Sequence, residues 1–183
     1  MPELAVPSPP LADDVVGLRA FSPDDVEWIV RACRDPEIPR FTLVPDPYEE
    51  SDAREWLGMH ADHRASGEAL QLAIVEAVGG APLGSIGLMR IAWDQLRGEI
   101  GYWIAPWGRG RGAATSAVRL LATHALGALG LQRIEVIPYV ANPASQRVAE
   151  KAGCRREGVM RSYFLAHGAR HDCVMYALLP EDL

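Results

Sequence analysis

The chain has 183 residues, 49% of them apolar, enough for one folded domain with a full core. Its 24 acidic residues outnumber 18 basic ones for a net charge of −6, which argues against nucleic acid as the main partner, because phosphate backbones demand clustered Lys and Arg. No apolar run reaches the length of a bilayer span, so no membrane partner is expected either.

Residues 1–13 carry Pro2, Pro7, Pro9 and Pro10 and are expected to form an extended or disordered lead-in, with one domain over 14–183. No basic residue precedes Arg19 and no continuous apolar stretch is present, so this is not read as a signal peptide. Cys33, Cys154 and Cys173 are odd in number and widely spaced, which fits reduced thiols in a cytoplasmic protein and no metal site. Acid concentrates in the first third, from Asp13 and Asp14 through Asp35, Glu37, Glu50 and Asp52; it reads either as a solvated helical surface or as attraction for a cationic acceptor.

A strand is predicted over 16–21, then a helix over 23–34 opened by Ser22 as hydroxyl cap with Pro23 in the first turn. A second helix is predicted over about 50–65. Residues 69–78, 83–92 and 97–104 follow as strands, separated by Gly79-Gly80-Ala81-Pro82 and a polar link near Asp94, which implies an antiparallel meander. Residues 113–129 place Ala114, Ala117, Val118, Leu121 and Ala125 on one helical face. A strand over 133–137 comes next. A short helix then starts at Asn142-Pro143 and stops at Gly153, with an apolar stripe of Ala144, Val148, Ala149 and Ala152. A hairpin of 155–164 and 171–179 turns at His167-Gly168. The sum is an α+β domain of about seven mostly antiparallel strands and about four helices. Its parallel pair should be the two strands that flank the 113–129 helix.

Between that meander and that helix lies Arg109-Gly110-Arg111-Gly112-Ala113-Ala114. A strand ending in a small-residue turn that opens a helix leaves backbone N–H groups free, with the positive end of the helix dipole behind them. The small residues let a pyrophosphate approach, and the two arginines add charge. Two patterns fit these residues. Gly108-x-Gly110-x-x-Ala113, with Glu135 at the end of the next strand-like run, satisfies a dinucleotide-binding fingerprint. Arg109-x-x-Gly112-x-Ala114 resembles the acyl-CoA loop of the GNAT acetyltransferases. An antiparallel meander ahead of the loop favours the second, because a dinucleotide fold is built from strand–helix–strand repeats.

Asn142-x-x-Ser145 with Lys151-x-Gly153, Glu99-Ile100-Gly101-Tyr102-Trp103, and His167-Gly168 with His171-Asp172 are similar to the RimJ/RimL-type branch of that family, over most of the chain from about Val15. The resemblance implies a GNAT-like mixed sheet whose parallel strands splay to admit the pantetheine arm. It implies acetyl-CoA as co-substrate, no metal, and contacts from Ile104, Arg109, Gly110, Arg111, Gly112, Ala113, Ala114 and Asn142. It also implies direct acyl transfer to an amine acceptor, a protein N-terminus or a small amine, by a cytoplasmic enzyme that can be a homodimer.

Such transfer needs a neutral amine, a polarised thioester carbonyl and support for the departing thiolate. Glu99 stands where some members place a general base; the alternative is a cross-strand salt bridge. Many members place a general-acid tyrosine where this chain has Ala149, and the RimJ/RimL-type pattern offers Ser145 instead; the alternative is a hydroxyl satisfying a free helix N–H. Asn142 is expected both to cap its helix and to touch the cofactor. Cys154 stands in place of the usual Phe, and Phe164 where some ribosomal-protein acetyltransferases carry an acid; Cys154 reads as a buried thiol with no activating base. Trp93, Tyr102, Trp103 and Trp107 read as acceptor-pocket lining or as core. A non-catalytic acyl-CoA sensor remains the alternative function.

Overall fold

The computed structural model describes residues 1–183. One eight-stranded sheet runs in the order β1-β2-β3-β4-β5-β6-β8-β7. The strands are β1 (Leu11–Ala12), β2 (Val16–Arg19), β3 (Leu70–Glu76), β4 (Pro82–Ala92), β5 (Arg97–Ile104), β6 (Arg133–Val136), β7 (Arg155–Ala166) and β8 (Ala169–Leu178). The helices are α1 (Val26–Cys33), α2 (Glu37–Phe41), α3 (Glu50–Gly58), α4 (His60–Ser66), α5 (Ala113–Gly127) and α6 (Pro143–Lys151). Every strand pair is antiparallel except β5 with β6, which α5 connects. A single parallel pair is incompatible with the dinucleotide fold and agrees with the mixed, mostly antiparallel sheet expected.

The eighth strand lies in the lead-in. Leu11–Ala12 pairs with Leu18 and Gly17, Leu4 is buried in the main core, and its N–H bonds to the Arg64 carbonyl. Three further details differ from expectation. The 50–65 helix is divided at Met59 into α3 and α4. The five-residue α2 occupies Glu37-Ile38-Pro39-Arg40-Phe41, where no element is predicted; Pro36 and Pro39 fall at its start, where a missing N–H is harmless. Ser22 caps nothing through its hydroxyl; the Asp25 carboxylate reaches back to the Ser22 N–H at 2.7 Å. That carboxylate also holds both Arg19 amino groups and the Trp28 indole N–H, a fully satisfied set around a residue only 3% exposed.

The sheet separates two cores. On one face α5 buries Ala117, Val118, Leu121, Ala122 and Ala125 against Leu72, Ile86, Leu88 and Ile100, and α6 adds Ala149 and Ala152. On the other, α1, α2 and α3 pack Trp28, Ile29, Ile38 and Ala53 over Ala73 and Val75. Ala114, expected on the buried face of α5, is instead half-buried at the helix start and faces the cleft described below. No helix is long and apolar enough to cross a membrane.

Candidate active site

The site follows from a strand pair that stays together for three residues. β5 and β6 are in register from Arg97 with Arg133 to Glu99 with Glu135, and β5 then runs on to Ile104 with no β6 partner. The chain after β6 follows β8 instead: Val174 N–H bonds to the Pro138 carbonyl, Val140 N–H to the Asp172 carbonyl, and Tyr139 bridges Cys173. Satisfying its backbone against β8 draws this segment off β5, and the gap becomes a cleft of about 1040 Å³.

The anion loop opens into that cleft. Gly110 and Gly112 adopt left-handed conformations (φ +77° and +81°), and a Cβ on either would meet nothing within 4 Å. Gly112 is the cap residue of α5 and offers no side chain; the first helical bond is Ser116 N–H to the Gly112 carbonyl. The first-turn N–H groups are therefore uncapped beside open space. Gly108 has a different reason, since a Cβ there would lie 2.9 Å from the Leu83 carbonyl oxygen. The arginines are already engaged. Arg109 bonds to Asp35 at 2.6 Å and to the Ile104 carbonyl, and Arg111 bonds to Glu76 at 2.6 Å.

Ile104, Arg109, Gly110, Gly112, Ala113, Ala114, Asn142, Glu99 and Ser145 all line the cleft; Arg111 does not. The two chemical candidates approach it from opposite faces, as strand alternation requires. Glu99 shares the side of Trp103, the face that α1, α2 and α3 cover. A register shift in β4 between Met89 and Ala92, with Arg90 at φ +50°, brings the Arg90 guanidinium 2.8 Å from Glu99. Burial pushes the Glu99 carboxyl up, Arg90 opposes that, and nearby Glu135 adds to it. The cross-strand salt bridge is thus present, at a carboxylate that also faces the cleft.

Ser145 lies on the α5 and α6 side. Asn142 Oδ1 accepts the Ser145 N–H at 3.0 Å, so Asn142 is the cap, and the Ser145 hydroxyl is free of that duty. It sits 2.7 Å from the Tyr102 hydroxyl. Of the four aromatics, Tyr102 and Trp103 line the cleft, whereas Trp93 and Trp107 are core residues tied to the Gly67 and Pro82 carbonyls. Glu135 is held by Arg97 and Arg133 below the split and has no place in the cleft. His171 stacks on Tyr139 with centroids 4.6 Å apart, and Tyr139 with Phe41 and Phe164 forms an aromatic wall of the cleft. Of the acidic third, Glu37 and Asp52 reach the cleft; Glu37 is paired with Arg40, and Asp25, Asp35 and Glu50 are likewise paired with arginines. Cys154 is buried, and its thiol is pushed up to about 11, chiefly by burial.

Sequence reasoning missed Arg90, Asp35 and the Tyr102–Ser145 contact. Asp35 and the Tyr102–Ser145 contact join segments far apart in the chain and leave no spacing signal, whereas Arg90 lies nine residues from Glu99 and is brought to it by the register shift in β4.

Residues 16–155 match the acetyltransferase (GNAT) domain family. YdaF of Bacillus subtilis (strain 168), provisionally named a ribosomal N-acetyltransferase, is 33% identical over 137 residues, 75% of this chain and 72% of that protein. RimL, a ribosomal L7/L12 alpha-N-protein acetyltransferase solved in complex with coenzyme A, superposes with a TM-score of 0.83 at 21% identity, over 95% of this chain and 98% of that one. The microcin C7 self-immunity acetyltransferase MccE, solved with acetyl-CoA and AMP, gives 0.82 at 20% identity over 91% and 93%. The sheet, split between β5 and β6, and the domain match agree, and the chain belongs to the GNAT acetyltransferase family.

Proposed function

We propose that this chain transfers an acyl group, acetyl from acetyl-CoA, to a primary amine by direct attack within a ternary complex, in the cytoplasm. The observation that carries this reading is that the uncapped α5 N-terminus and the β5–β6 gap share one cleft. The backbone N–H groups of Ala113 and Ala114, with Gly110 and Gly112 leaving room, receive the pyrophosphate. The edge of β5 from Ile100 to Ile104 offers backbone groups to the pantetheine arm, and Asn142 borders it. Bound there, acetyl-CoA supplies a thioester carbonyl.

Glu99 draws in the ammonium and accepts its proton, directly or through water. Ser145 supports the departing sulfur. An α-amino group with a pKa near ~8 is about one-tenth neutral at pH 7, whereas a lysine near ~10.4 is neutral about once in a few thousand. The Arg90 bond holds back the rise that burial gives the Glu99 carboxyl, which favours the acceptor that needs less base catalysis. The acceptor is accordingly an N-terminal α-amino group of a protein or peptide, with small amines second, and the relatives named for ribosomal proteins support that order.

Mass spectrometry of a peptide and small-amine library incubated with acetyl-CoA tests this. Acetylation at α-amines is expected. Binding of acetyl-CoA without transfer to any amine would instead identify a sensor.

A further inference from the structure

The Ser145 hydroxyl has one protein partner, the Tyr102 hydroxyl, and Tyr102 has none but Ser145. Two hydroxyls sharing one hydrogen bond leave one O–H proton over. Both groups line the cleft, Tyr102 on the stretch of β5 that β6 has left and Ser145 in the first turn of α6. A phenol is more acidic than an alkyl hydroxyl and is the better donor of the two. A hydroxyl that accepts a hydrogen bond in turn donates a stronger one. Both preferences give the same direction, from Tyr102 to Ser145 and from Ser145 into the split.

We propose that Tyr102 is a positioning residue for acyl transfer: its O–H donates to Ser145 Oγ, locks that rotor, and aims the Ser145 proton at the thioester sulfur. This rests on the acyltransferase reading above. The amine lone pair forms the C–N bond, and the C–S electron pair departs on sulfur. The surplus proton on nitrogen passes to Glu99 or its water, and the thiolate is held by the Ser145 O–H until it takes a proton from solvent. Tyr102 keeps its own proton throughout. Burial pushes its phenol up to about 12, against the Ser145 bond, well above an ordinary thiol near ~8.5, so relaying that proton to sulfur runs uphill.

The test compares Tyr102→Phe, Ser145→Ala and the double variant with acetyl-CoA and the best amine from the library. Each single substitution should lower kcat by about 10- to 100-fold, the range for one hydrogen bond to a charged group. KM for acetyl-CoA and its calorimetric affinity should stay within about twofold, and the double variant should be no slower than Ser145→Ala. Wild-type kcat in Tyr102→Phe, or losses that multiply, overturns the proposal. Because Tyr102→Phe alters a buried site, a fluorinated tyrosine placed only at 102 gives a second readout. Its more acidic phenol should pull the alkaline limb of the kcat profile to lower pH, since an ionised Tyr102 no longer donates. A profile that superimposes on wild type overturns the proposal as well. If the wild-type chain neither binds acetyl-CoA nor acetylates any amine, the acyltransferase reading itself fails; transfer with Tyr102 idle sinks only the pair.

Discussion

Two helix N-termini flank the same cleft and treat their free N–H groups in opposite ways. At α6, Pro143 has no N–H to satisfy, and Asn142 accepts the Ser145 N–H. At α5, the cap residue is a glycine with positive φ, and the space beside it is open. A glycine in place of a capping side chain costs about a few tenths of a kcal/mol, a cost that a bound anion offsets. The capped terminus is a joint that fixes a side chain; the bare one is a receptor. The same residue classes, small and polar, give both outcomes, and the deciding factor is whether a side-chain oxygen reaches back to the helix.

The most severe way to break this contrast is to fill the bare terminus. Gly112→Glu puts a carboxylate where a pyrophosphate would lie and should abolish acetyl-CoA binding by calorimetry while circular dichroism stays native. Gly112→Asn, which tolerates positive φ, separates strain from charge and should keep affinity within about tenfold. Unchanged affinity in a folded Gly112→Glu protein would remove the basis for the anion site.

Next in size is Glu99, on the face of the sheet that neither terminus occupies. Glu99→Gln should lower kcat at neutral pH by about 10²-fold with acetyl-CoA affinity intact, and the defect should shrink as pH approaches the amine's own pKa. A loss of the same size at every pH would mean that Glu99 only positions the amine. Stability should respond too. The folded carboxyl holds its proton more tightly than the unfolded one, so it favours the native state below the unfolded pKa. That contribution is lost as pH rises through the raised value, and Glu99→Gln should flatten this part of the stability profile.

Local chemistry made the strands, the α5 face, the glycine loop and the Asn142 cap readable in advance. The meander announces itself through turn residues, and α5 through its apolar period. The lead-in was harder. Its prolines forbid helix, but Leu4 and Leu11 are the only clue that it docks, and docking depends on a core assembled elsewhere. Ser22 looked like a hydroxyl cap because the spacing allows it, yet the Asp25 N–H bonds to the Ser22 carbonyl, and the Asp25 carboxylate, anchored by Arg19 and Trp28, accepts the Ser22 N–H. In the site, the residues were readable and their partners were not. Arg109 promised free charge and is bonded to Asp35, 74 positions earlier. Ser145 offered a hydroxyl either to the leaving sulfur or to a free helix N–H and is bonded to Tyr102, 43 positions earlier. Spacing predicts what lies within a turn or a hairpin; it carries nothing about contacts made when α6 docks beside β5.

The capped terminus supplies the third prediction. Asn142→Ala should destabilise by about 1 kcal/mol, a fall of roughly 2–4 °C in Tm for a chain of this size. Ser145→Ala leaves that cap in place and should cost no more than Tyr102→Phe, which breaks the same hydroxyl pair. A Ser145→Ala loss well above that of Tyr102→Phe would restore the reading of Ser145 as a cap.

The smallest effect concerns Arg109, in the loop that leads into the bare terminus. Asp35 accepts both the Arg109 guanidinium at 2.6 Å and the Glu37 N–H at 3.2 Å, so it ties the anion loop to the start of α2. Its carboxylate opposes any phosphate arriving at Arg109, yet the pair is part-exposed, 40% at Arg109 and 21% at Asp35, and is worth at most about 1 kcal/mol. Asp35→Asn keeps an oxygen for the Glu37 N–H and releases the arginine. Acetyl-CoA affinity should then rise, by no more than about fivefold at low ionic strength, and the gain should fade as salt screens it. Calorimetry at two salt concentrations reads this directly. Weaker binding in Asp35→Asn would mean that Arg109 serves the site only while clamped, so that the loop's shape outweighs its charge, which is the same lesson the bare α5 terminus teaches through its backbone.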